Sequence, residues 1–279
     1  MKQIDSEKKL DRLKLCKLLK TIYSDNTTEE INFISNQLLQ ILDDFSGKSA
    51  YEEISNKERW NESHSVLITY ADSIYKYGEA TLITLRDLLS NYFGSLAKVV
   101  HILPFLKSTS DGGFAVSSYE TLEEKFGSWD DLKNISINHD LMADLVLNHV
   151  SSSHPWVQQF IKSQEPGISN VFSPAQNLDW SNVVRPRSSS LFSQINTEDG
   201  PKQVWTTFGP DQIDLNWHNP KMTIEFLNLI INYLSNGIKW FRLDAVGFIW
   251  KESGTTFERL PKCLLNKSLR VFNVASPFL

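Results

Sequence analysis

The 279-residue sequence has few cysteines and no long apolar segment. Cys16 and Cys263 stand near opposite ends, which excludes a disulfide scaffold, and no Cys/His spacing indicates zinc. No apolar run approaches the length that crosses a bilayer, and the charged residues 1–9 do not resemble a signal peptide. We therefore expect a cytoplasmic protein with no membrane partner.

An excess of positive charge is also missing. The sequence has 28 Lys and Arg against 33 Asp and Glu, a formal net charge of −5. Nucleic acids attract basic surfaces, so this mild acidity argues against a nucleic-acid partner. With 41% hydrophobic residues, the chain has the composition of an ordinary soluble protein of one large domain or two small ones.

The first 47 residues predict two helices. Leucines at helical spacing mark the first helix up to Ile22, and Thr27 to Glu30 has the pattern of a capping box that starts the second. Gly47 ends the second helix, and residues 48–64 are polar, as in a linker. We interpret residues 1–60 as an N-terminal helical segment and linker that serves packing rather than chemistry.

From Val66 onward the sequence alternates between predicted strands and predicted helices. Strands are predicted at 66–70, 98–103, 141–147 and from Gly237 on, and helices at 81–92, at 119–134 and after Asn219-Pro220. Such alternation is typical of an α/β protein with parallel β/α units. Residues 151–219 are too long for a simple loop, which predicts an inserted subdomain, at 150–219, with short strands of its own.

The fourth predicted strand carries Arg242 and Asp244 two residues apart, so both side chains point the same way. We expect Arg242 to keep Asp244 ionised, because an opposite charge lowers the pKa of a carboxylate. A charged, poorly hydrated carboxylate suits a glycosidic nucleophile, and the alternative is a structural ion pair. Strand alternation predicts two faces, one with Ile238, Trp240, Arg242 and Asp244 and the other with Phe241, Leu243 and Ala245.

The third predicted strand carries Asp144, and His149 follows at its carboxyl end. Active groups collect at this end of the strands in a parallel β/α barrel, although a lone histidine is more often structural. We therefore predict that His149 belongs to the site and that Asp144 pairs with Arg242 across neighbouring strands.

Seven motifs occur along the chain in a fixed order. They are His-Ile-Leu-Pro-Phe at 101–105, Asp-Gly-Gly-Phe at 111–114, Phe-Gly-Ser-Trp-Asp-Asp-Leu at 126–132, Asp-Leu-Val-Leu-Asn-His-Val-Ser at 144–151, Arg-Pro-Arg at 185–187, Phe-Gly-Pro-Asp-Gln-Ile-Asp at 208–214 and Phe-Arg-Leu-Asp-Ala-Val at 241–246. Together they resemble the α-amylase superfamily, glycoside hydrolase family 13, and within it the sucrose-phosphorylase-like group. The resemblance implies a partial (β/α)8 TIM barrel of about four strands, with residues 61–261 as the N-terminal half of the catalytic domain and 262–279 as a divergent tail.

The resemblance also implies roles for single residues. Asp244 matches the nucleophile that forms a glucosyl-enzyme, and Arg242 matches its positioning partner. His149, Asp111 and Gln212 match residues that hydrogen-bond the bound glucose. Phe114 matches the apolar platform under that sugar, and Phe208 and Arg187 match the acceptor side, where an arginine contacts phosphate.

Without the resemblance, several of these residues have a simpler interpretation. Phe114 and Phe208 would be core packing, Asp111 a turn residue and Arg187 a surface charge. Asn148 matches a position where amylases bind calcium, but the sucrose-phosphorylase-like group generally binds none. We therefore expect no metal and no cofactor, with inorganic phosphate as a co-substrate.

Three hypotheses about function remain open. The first is a retaining α-glucosyl transferase that converts an α-glucoside and phosphate into glucose 1-phosphate. The acceptor is left open among fructose, fructose phosphate, glycerol and glycerate, as is the oligomeric state. The alternative is a half-barrel remnant or sugar-binding fragment without catalysis, and a hydrolase of α-glucans is the third and weaker hypothesis.

The expected acid/base glutamate is the residue for which we find no match. In the family it follows the fifth strand, and neither Glu252 nor Glu258, the glutamates that come after Asp244, has that setting. Four strands do not close an eight-stranded barrel, so the chain looks truncated and its turnover is expected to be impaired.

Overall fold

Helices and strands alternate along most of the chain, as predicted. The computed structural model describes residues 2–46, 61–62, 64–175 and 178–255. In chain order, the strands are β1 (Val66–Thr69), β2 (Val99–Ile102), β3 (Asp140–Val146), β4 (His149–Ser151), β5 (Phe192–Thr197), β6 (Gly200–Trp205), β7 (Gln212–Asp214) and β8 (Ile238–Asp244). The α-helices are α1 (Lys2–Ile22), α2 (Thr28–Ser46), α3 (Thr81–Leu88), α4 (Trp129–Ser136), α5 (Pro155–Ile161), α6 (Gly167–Asn170) and α7 (Met222–Ser235).

Four parallel strands form the central sheet in the order β1-β2-β3-β8. All four residues of β2 are buried, as expected for a strand with neighbours on both sides and packing on both faces. The carboxyl ends of these strands therefore lie at one edge. This parallel sheet confirms the predicted partial barrel with about four strands.

The N-terminal helices α1 and α2 form the predicted pair and pack against each other. The capping box is present: the Thr27 amide donates to Glu30 at 2.9 Å, and the Glu30 amide donates to the Thr27 hydroxyl at 3.2 Å. Helix α2 contacts α7. Leu19 and Leu38 are fully buried in the same core cluster as the sheet residues. The division at residue 60 stays a prediction, and most of the linker lies outside the described residues.

The predicted helix at 119–134 is too long at its start, because α4 begins at Trp129. Ser128 is the N-cap and forms a capping box with Asp131. The residues before it are irregular, with bends at 119–120 and a turn at 124–126. Leu122 bridges to Leu106, and the Tyr119 hydroxyl donates to the Val146 carbonyl at 3.0 Å. The cap at Ser128 and these tertiary contacts together override the helical spacing.

Helix α7 also begins later than predicted. Asn219 does not cap it; its side-chain oxygen accepts the Lys221 amide at 3.1 Å and so closes a turn before Met222. The predicted stop is confirmed, since Gly237 follows the helix with φ +88°, a conformation that glycine adopts without strain.

A bulge at the start of β8 changes one predicted side-chain direction. Leu141 pairs with Ile238, and the next residue, Met142, pairs with Trp240. Lys239 is therefore the extra residue of a β-bulge, with no residue of β3 paired to it. Ile238 consequently shares a face with Leu141 and not with Trp240, contrary to the prediction. Beyond the bulge the alternation holds, and Asp144 lies opposite Arg242.

The stretch between β3 and α7 contains the predicted short strands. β4 and β7 pair antiparallel, and β5 and β6 form a hairpin. The β4–β7 pair begins three residues after β3 ends, so it extends the barrel strand toward the site. The boundaries 150–219 of a subdomain stay a prediction, and so does the tail at 262–279, which lies outside the described residues. No described helix has the length and apolarity to cross a bilayer.

Candidate active site

The charged pair predicted across two strands is present. Arg242 Nη1 bonds Asp144 Oδ1 and lies 3.2 Å from Asp244 Oδ1. The Asp144 side chain is buried, whereas that of Arg242 is 47% exposed. One guanidinium therefore joins a carboxylate inside the sheet to a second carboxylate at the strand end, where Asp244 is accessible to a ligand.

His101 is a member of this cluster to which the sequence analysis gave no role. Its Nε2 lies 2.9 Å from Asp144 Oδ2, and both side chains are buried. The strand pairing is the signal that the sequence analysis missed. His101 lies opposite Met142, which is two residues before Asp144 on β3, so the side chains of His101 and Asp144 lie on the same face of the sheet. Asp144 is thus held from both sides, by an imidazole and by a guanidinium.

The expected direction of the pKa shift of Asp244 needs correction, although Arg242 acts on it as predicted. Burial raises the pKa of Asp244, and the neighbouring charges of Asp144 and Asp111 raise it further, while Arg242 lowers it. The net shift is upward, contrary to the prediction. The reason is that burial of the carboxylate, together with the two neighbouring negative charges, outweighs the lowering by Arg242.

Asp111, Gln212 and His149 come together at the mouth of the sheet. The Gln212 amide donates to Asp111 Oδ2 at 2.9 Å and lies 3.1 Å from His149 Nε2. Burial lowers the pKa of His149 to about 4, so the imidazole is neutral at neutral pH. These three predicted residues present a carboxylate, an amide and a neutral imidazole, which are the groups that sugar hydroxyls bind.

The two predicted aromatic residues flank the polar groups. The guanidinium of Arg242 lies 5.8 Å from the centre of the Phe114 ring. The Phe208 ring lies 5.0 Å from the His149 ring and 5.3 Å from the ring of Phe248. Phe114 also packs against the core, so the packing interpretation and the platform interpretation apply together.

Arg187 lies at the outer side of the same cluster. Its Nη2 is 3.8 Å from Asp111 Oδ1, and its side chain is 55% exposed. Asp111 is in turn joined through Gln212 to His149, which places Arg187 next to the polar groups of the site. The structure therefore gathers all nine predicted residues into one cluster of neighbouring side chains; their roles in binding or catalysis stay predictions.

A buried lysine is the second feature that the sequence analysis missed. Lys251 Nζ lies 3.0 Å from Asp214 Oδ2 and donates to Asn148 Oδ1 at 3.1 Å, and neither charged side chain is exposed. The side-chain oxygen of Asn148 therefore binds the ammonium group of Lys251, a cation that belongs to the chain itself. In the described part of the chain, no three His, Cys, Asp or Glu side chains are grouped as metal ligands. The expectation of no metal stays a prediction.

Comparison with known proteins identifies the fold family. The family model described as "Alpha amylase, catalytic domain" matches residues 91–271 of this chain. The glucosylglycerate phosphorylase of Allomeiothermus silvanus is 45% identical over 199 residues, which are 71% of this chain and 36% of that protein. The glucosylglycerate phosphorylase of Spirochaeta thermophila is 38% identical over 257 residues, 91% of this chain and 43% of that protein.

Solved structures support the same relationship. The sucrose 6F-phosphate phosphorylase from Thermoanaerobacter thermosaccharolyticum matches with a TM-score of 0.71 and 30% identity, over 82% of this chain and 49% of that one. The chain spans less than half of the length of these relatives. The chain therefore belongs to the α-amylase family, glycoside hydrolase family 13, and within it resembles the sucrose-phosphorylase-like group.

Proposed function

We propose that this chain carries the donor-sugar half of a phosphorylase-type active site, which transfers an α-glucosyl group to phosphate. The observation that carries the proposal is the position of Asp244, at the end of β8, 3.2 Å from Arg242. Polar groups from Asp111, Gln212 and His149 and the ring of Phe114 belong to the same cluster of side chains. Pockets of this composition suit a sugar, which has one apolar face and many hydroxyls.

The reaction that we propose proceeds by two displacements. An Asp244 carboxylate oxygen attacks the anomeric carbon, the bond from that carbon to the acceptor oxygen breaks, and a glucosyl-enzyme forms. A phosphate oxygen then attacks the same carbon and releases the Asp244 carboxylate, giving α-glucose 1-phosphate with retained configuration. The first step also needs a proton for the leaving oxygen, and we assign no residue of this chain to supply it.

The acceptor that we propose first is glycerate. Relatives named glucosylglycerate phosphorylase match this chain at 45% and 38% identity, and the exposed Arg187 guanidinium is suited to an anion. Inorganic phosphate as the co-substrate, no further cofactor and a cytoplasmic location are part of the proposal. Sucrose, sucrose 6F-phosphate and glucosylglycerol are the competing donors.

The nucleophile can be tested without an acid catalyst by using α-D-glucosyl fluoride, because fluoride departs without protonation. We expect the 279-residue chain to gain the mass of one anhydroglucose unit, located by peptide mass spectrometry at Asp244. Asp244→Asn should abolish this labelling. Asp140→Asn is the matched control, since Asp140 lies at the opposite end of β3 and pairs with Lys239 at 2.8 Å.

Labelling that persists in Asp244→Asn, or that occurs on another residue, would contradict the assignment. With unactivated donors we expect slow release of glucose 1-phosphate, because general acid catalysis typically contributes about 10² to 10⁴ in rate. The panel of glucosylglycerate, sucrose, sucrose 6F-phosphate and glucosylglycerol, each with and without phosphate, identifies the acceptor.

A sugar-binding role without catalysis is the second candidate. The pocket at Asp111, Gln212 and His149 favours it, because these contacts bind a sugar whether or not a bond is broken. Glucose binding combined with no labelling by α-D-glucosyl fluoride would support this candidate. The adjoining genomic sequence, read in all frames, distinguishes an interrupted gene from a chain with this role. An interrupted gene would encode an acid/base glutamate and a later His-Asp pair in another frame.

A further inference from the structure

The carboxylate of Asp211 connects three segments of the site. Its Oδ2 accepts hydrogen bonds from Thr109 Oγ1 at 2.6 Å and from Ser110 Oγ at 2.5 Å. Its Oδ1 accepts from Ser152 Oγ at 2.5 Å and from the Ser152 amide at 3.3 Å, and lies 3.5 Å from Ser151 Oγ. Both oxygens are therefore satisfied, one by the loop after β2 and the other by the end of β4.

Each of these segments supplies a residue to the pocket. Asp111 follows Ser110 directly, His149 begins β4, and Gln212 follows Asp211 at the start of β7. The carboxylate thus lies at the point where the loop, β4 and β7 meet. A hydrogen bond between the hydroxyls of Thr109 and Ser151, 2.6 Å apart, closes the network, with Ser151 as the donor because the Thr109 hydrogen is donated to Asp211.

The loop that Asp211 holds has an unfavourable backbone conformation. Asp111 has φ +54°, a left-handed value that non-glycine residues seldom adopt, and Gly112 and Gly113 follow with φ +62° and +106°. A Cβ at Gly113 would lie 2.6 Å from the Pro104 carbonyl oxygen, so the loop is pressed against the strand end. Such a conformation persists only where other contacts fix it.

The charge state of Asp211 agrees with this arrangement. Burial raises its pKa, but the hydrogen bonds from Ser110 and Ser152 outweigh burial, and the pKa lies below its ordinary value. The carboxylate remains ionised at neutral pH and accepts all of these hydrogen bonds.

We propose that Asp211 is a positioning residue that holds residues 109–113 in the conformation in which Asp111 meets Gln212, and that it thereby sets the affinity of the pocket for a glucosyl group. The proposal rests on the proposed function for the identity of the ligand. Asp211 acts on the bound sugar only through Asp111 and Gln212, whereas those two residues belong to the proposed sugar site itself.

The test compares Asp211→Ala and Asp211→Asn with the exposed control Asp199→Asn, which lies in the β5–β6 turn. Two measurements are made on the full chain: amide hydrogen exchange across residues 107–116, and D-glucose binding by ligand-observed NMR. The amides of residues 109 and 113–115 donate hydrogen bonds within the loop and report its order directly.

We expect Asp211→Ala to lose protection in this loop and to weaken glucose binding by about tenfold or more, as for the loss of a charged hydrogen-bond acceptor. Asp211→Asn should lose less, because its amide oxygen still accepts and the serine hydroxyls can rotate to accept its N–H. In labelling with α-D-glucosyl fluoride, Asp211→Ala should raise the half-saturating concentration and leave the limiting rate close to that of the wild type. A purely structural role would not produce this split.

Unchanged loop protection in Asp211→Ala overturns the proposal, and so does lost protection with wild-type glucose affinity. If the wild-type chain binds no glucose, a role in sugar affinity is likewise refuted. If the wild type binds glucose but is never labelled, while Asp211→Ala loses binding and loop protection, the proposed chemistry fails and the positioning role stands.

Discussion

At the scale of single residues, the buried Lys251 shows how the chain supports its own pocket. Burial lowers the pKa of Lys251, and the Asp214 carboxylate opposes that shift. The same Asp214 oxygen accepts the Asn148 amide at 2.9 Å, and Asn148 precedes His149 directly. The lysine therefore fixes the connection between β3 and β4, directly before the histidine whose imidazole belongs to the site.

Removing this ammonium should be costly. We expect Lys251→Met to lower the free energy of unfolding by about 3–5 kcal/mol, because it leaves the Asp214 charge buried without its partner. Chemical denaturation followed by tryptophan fluorescence measures the change. The double variant Lys251→Met/Asp214→Asn should be less destabilised than the single one, since no unpaired charge remains.

The matched control for this prediction is Lys239→Met. Lys239 pairs with Asp140 at 2.8 Å, but its side chain is 56% exposed, and exposed pairs contribute only about 0–1 kcal/mol. Equal losses for Lys251→Met and Lys239→Met would show that Lys251 is not the buried partner described here.

The sequence was informative about residues that belong to local motifs and silent about those that meet only in the fold. His149, Gln212 and Asp111 were predicted from short motifs, and the structure brings them together. Lys251 was not predicted, because nothing near it in the sequence shows that a lysine there folds back onto Asn148. The pKa of Asp244 was predicted in the wrong direction because the sequence does not reveal how far the carboxylate is buried or which other carboxylates lie near it.

At the scale of elements, the N-terminus of α5 combines a helix cap with a buried titratable group. His154 Nδ1 accepts the Trp156 amide at 3.2 Å, and its ring packs 5.3 Å from that of Tyr119. Burial lowers the pKa of His154 to about 4. The cap therefore needs the neutral imidazole, since a protonated Nδ1 has no lone pair with which to accept.

This depressed pKa makes stability depend on pH. An unfolded histidine titrates near pH 6.5, so between that pH and about 4 the unfolded chain binds the proton and the folded chain does not. The stabilisation is complete above pH 6.5 and is lost as the pH falls, by up to about 3 kcal/mol at pH 4. His154→Asn should flatten the pH dependence of unfolding in this window, because asparagine caps a helix and does not titrate.

His154→Ala serves as the companion variant. It should show the same flatter pH dependence but lose about 1 kcal/mol more than His154→Asn at pH 7, because it removes the cap as well. Denaturant midpoints between pH 4 and pH 7 measure both effects. A wild-type pH slope in both variants would assign the acid sensitivity to other groups, His149 among them.

Element boundaries show the limit of local patterns. The alternation of strands and helices was predicted because the apolar periods of β1 to β3 and of α7 are clear. The start of α4 and the bulge in β8 were missed, since both are decided by neighbours. The contacts of residues 119–122 hold that segment out of the helix, and the pairing with β3 shifts Ile238 to the other face.

At the scale of the whole molecule, the N-terminal helix pair is joined to the barrel strands by a shared core. Tyr23, directly after α1, is buried, and its ring lies 6.0 Å from that of Trp250. Leu38 on α2 is fully buried within the cluster that also contains Leu141 of β3. The sequence analysis treated residues 1–60 as a separate segment, because the apolar faces of two amphipathic helices do not reveal what they cover.

A shared core predicts that the helix pair and the sheet unfold together. All eight tryptophans lie at residue 60 or later, so their fluorescence reports mainly on the part of the chain outside the helix pair, with Trp250 also at the contact to Tyr23. Leu38→Ala should lower the free energy of unfolding seen by tryptophan fluorescence by about 2–5 kcal/mol, as for other buried leucines. Leu13→Ala, at a position 60% exposed on α1, should change it by no more than about 0.5 kcal/mol. If Leu38→Ala shifts only the far-ultraviolet circular dichroism, and the tryptophan transition keeps its wild-type midpoint, the helix pair folds on its own and the boundary at residue 60 marks a separate domain.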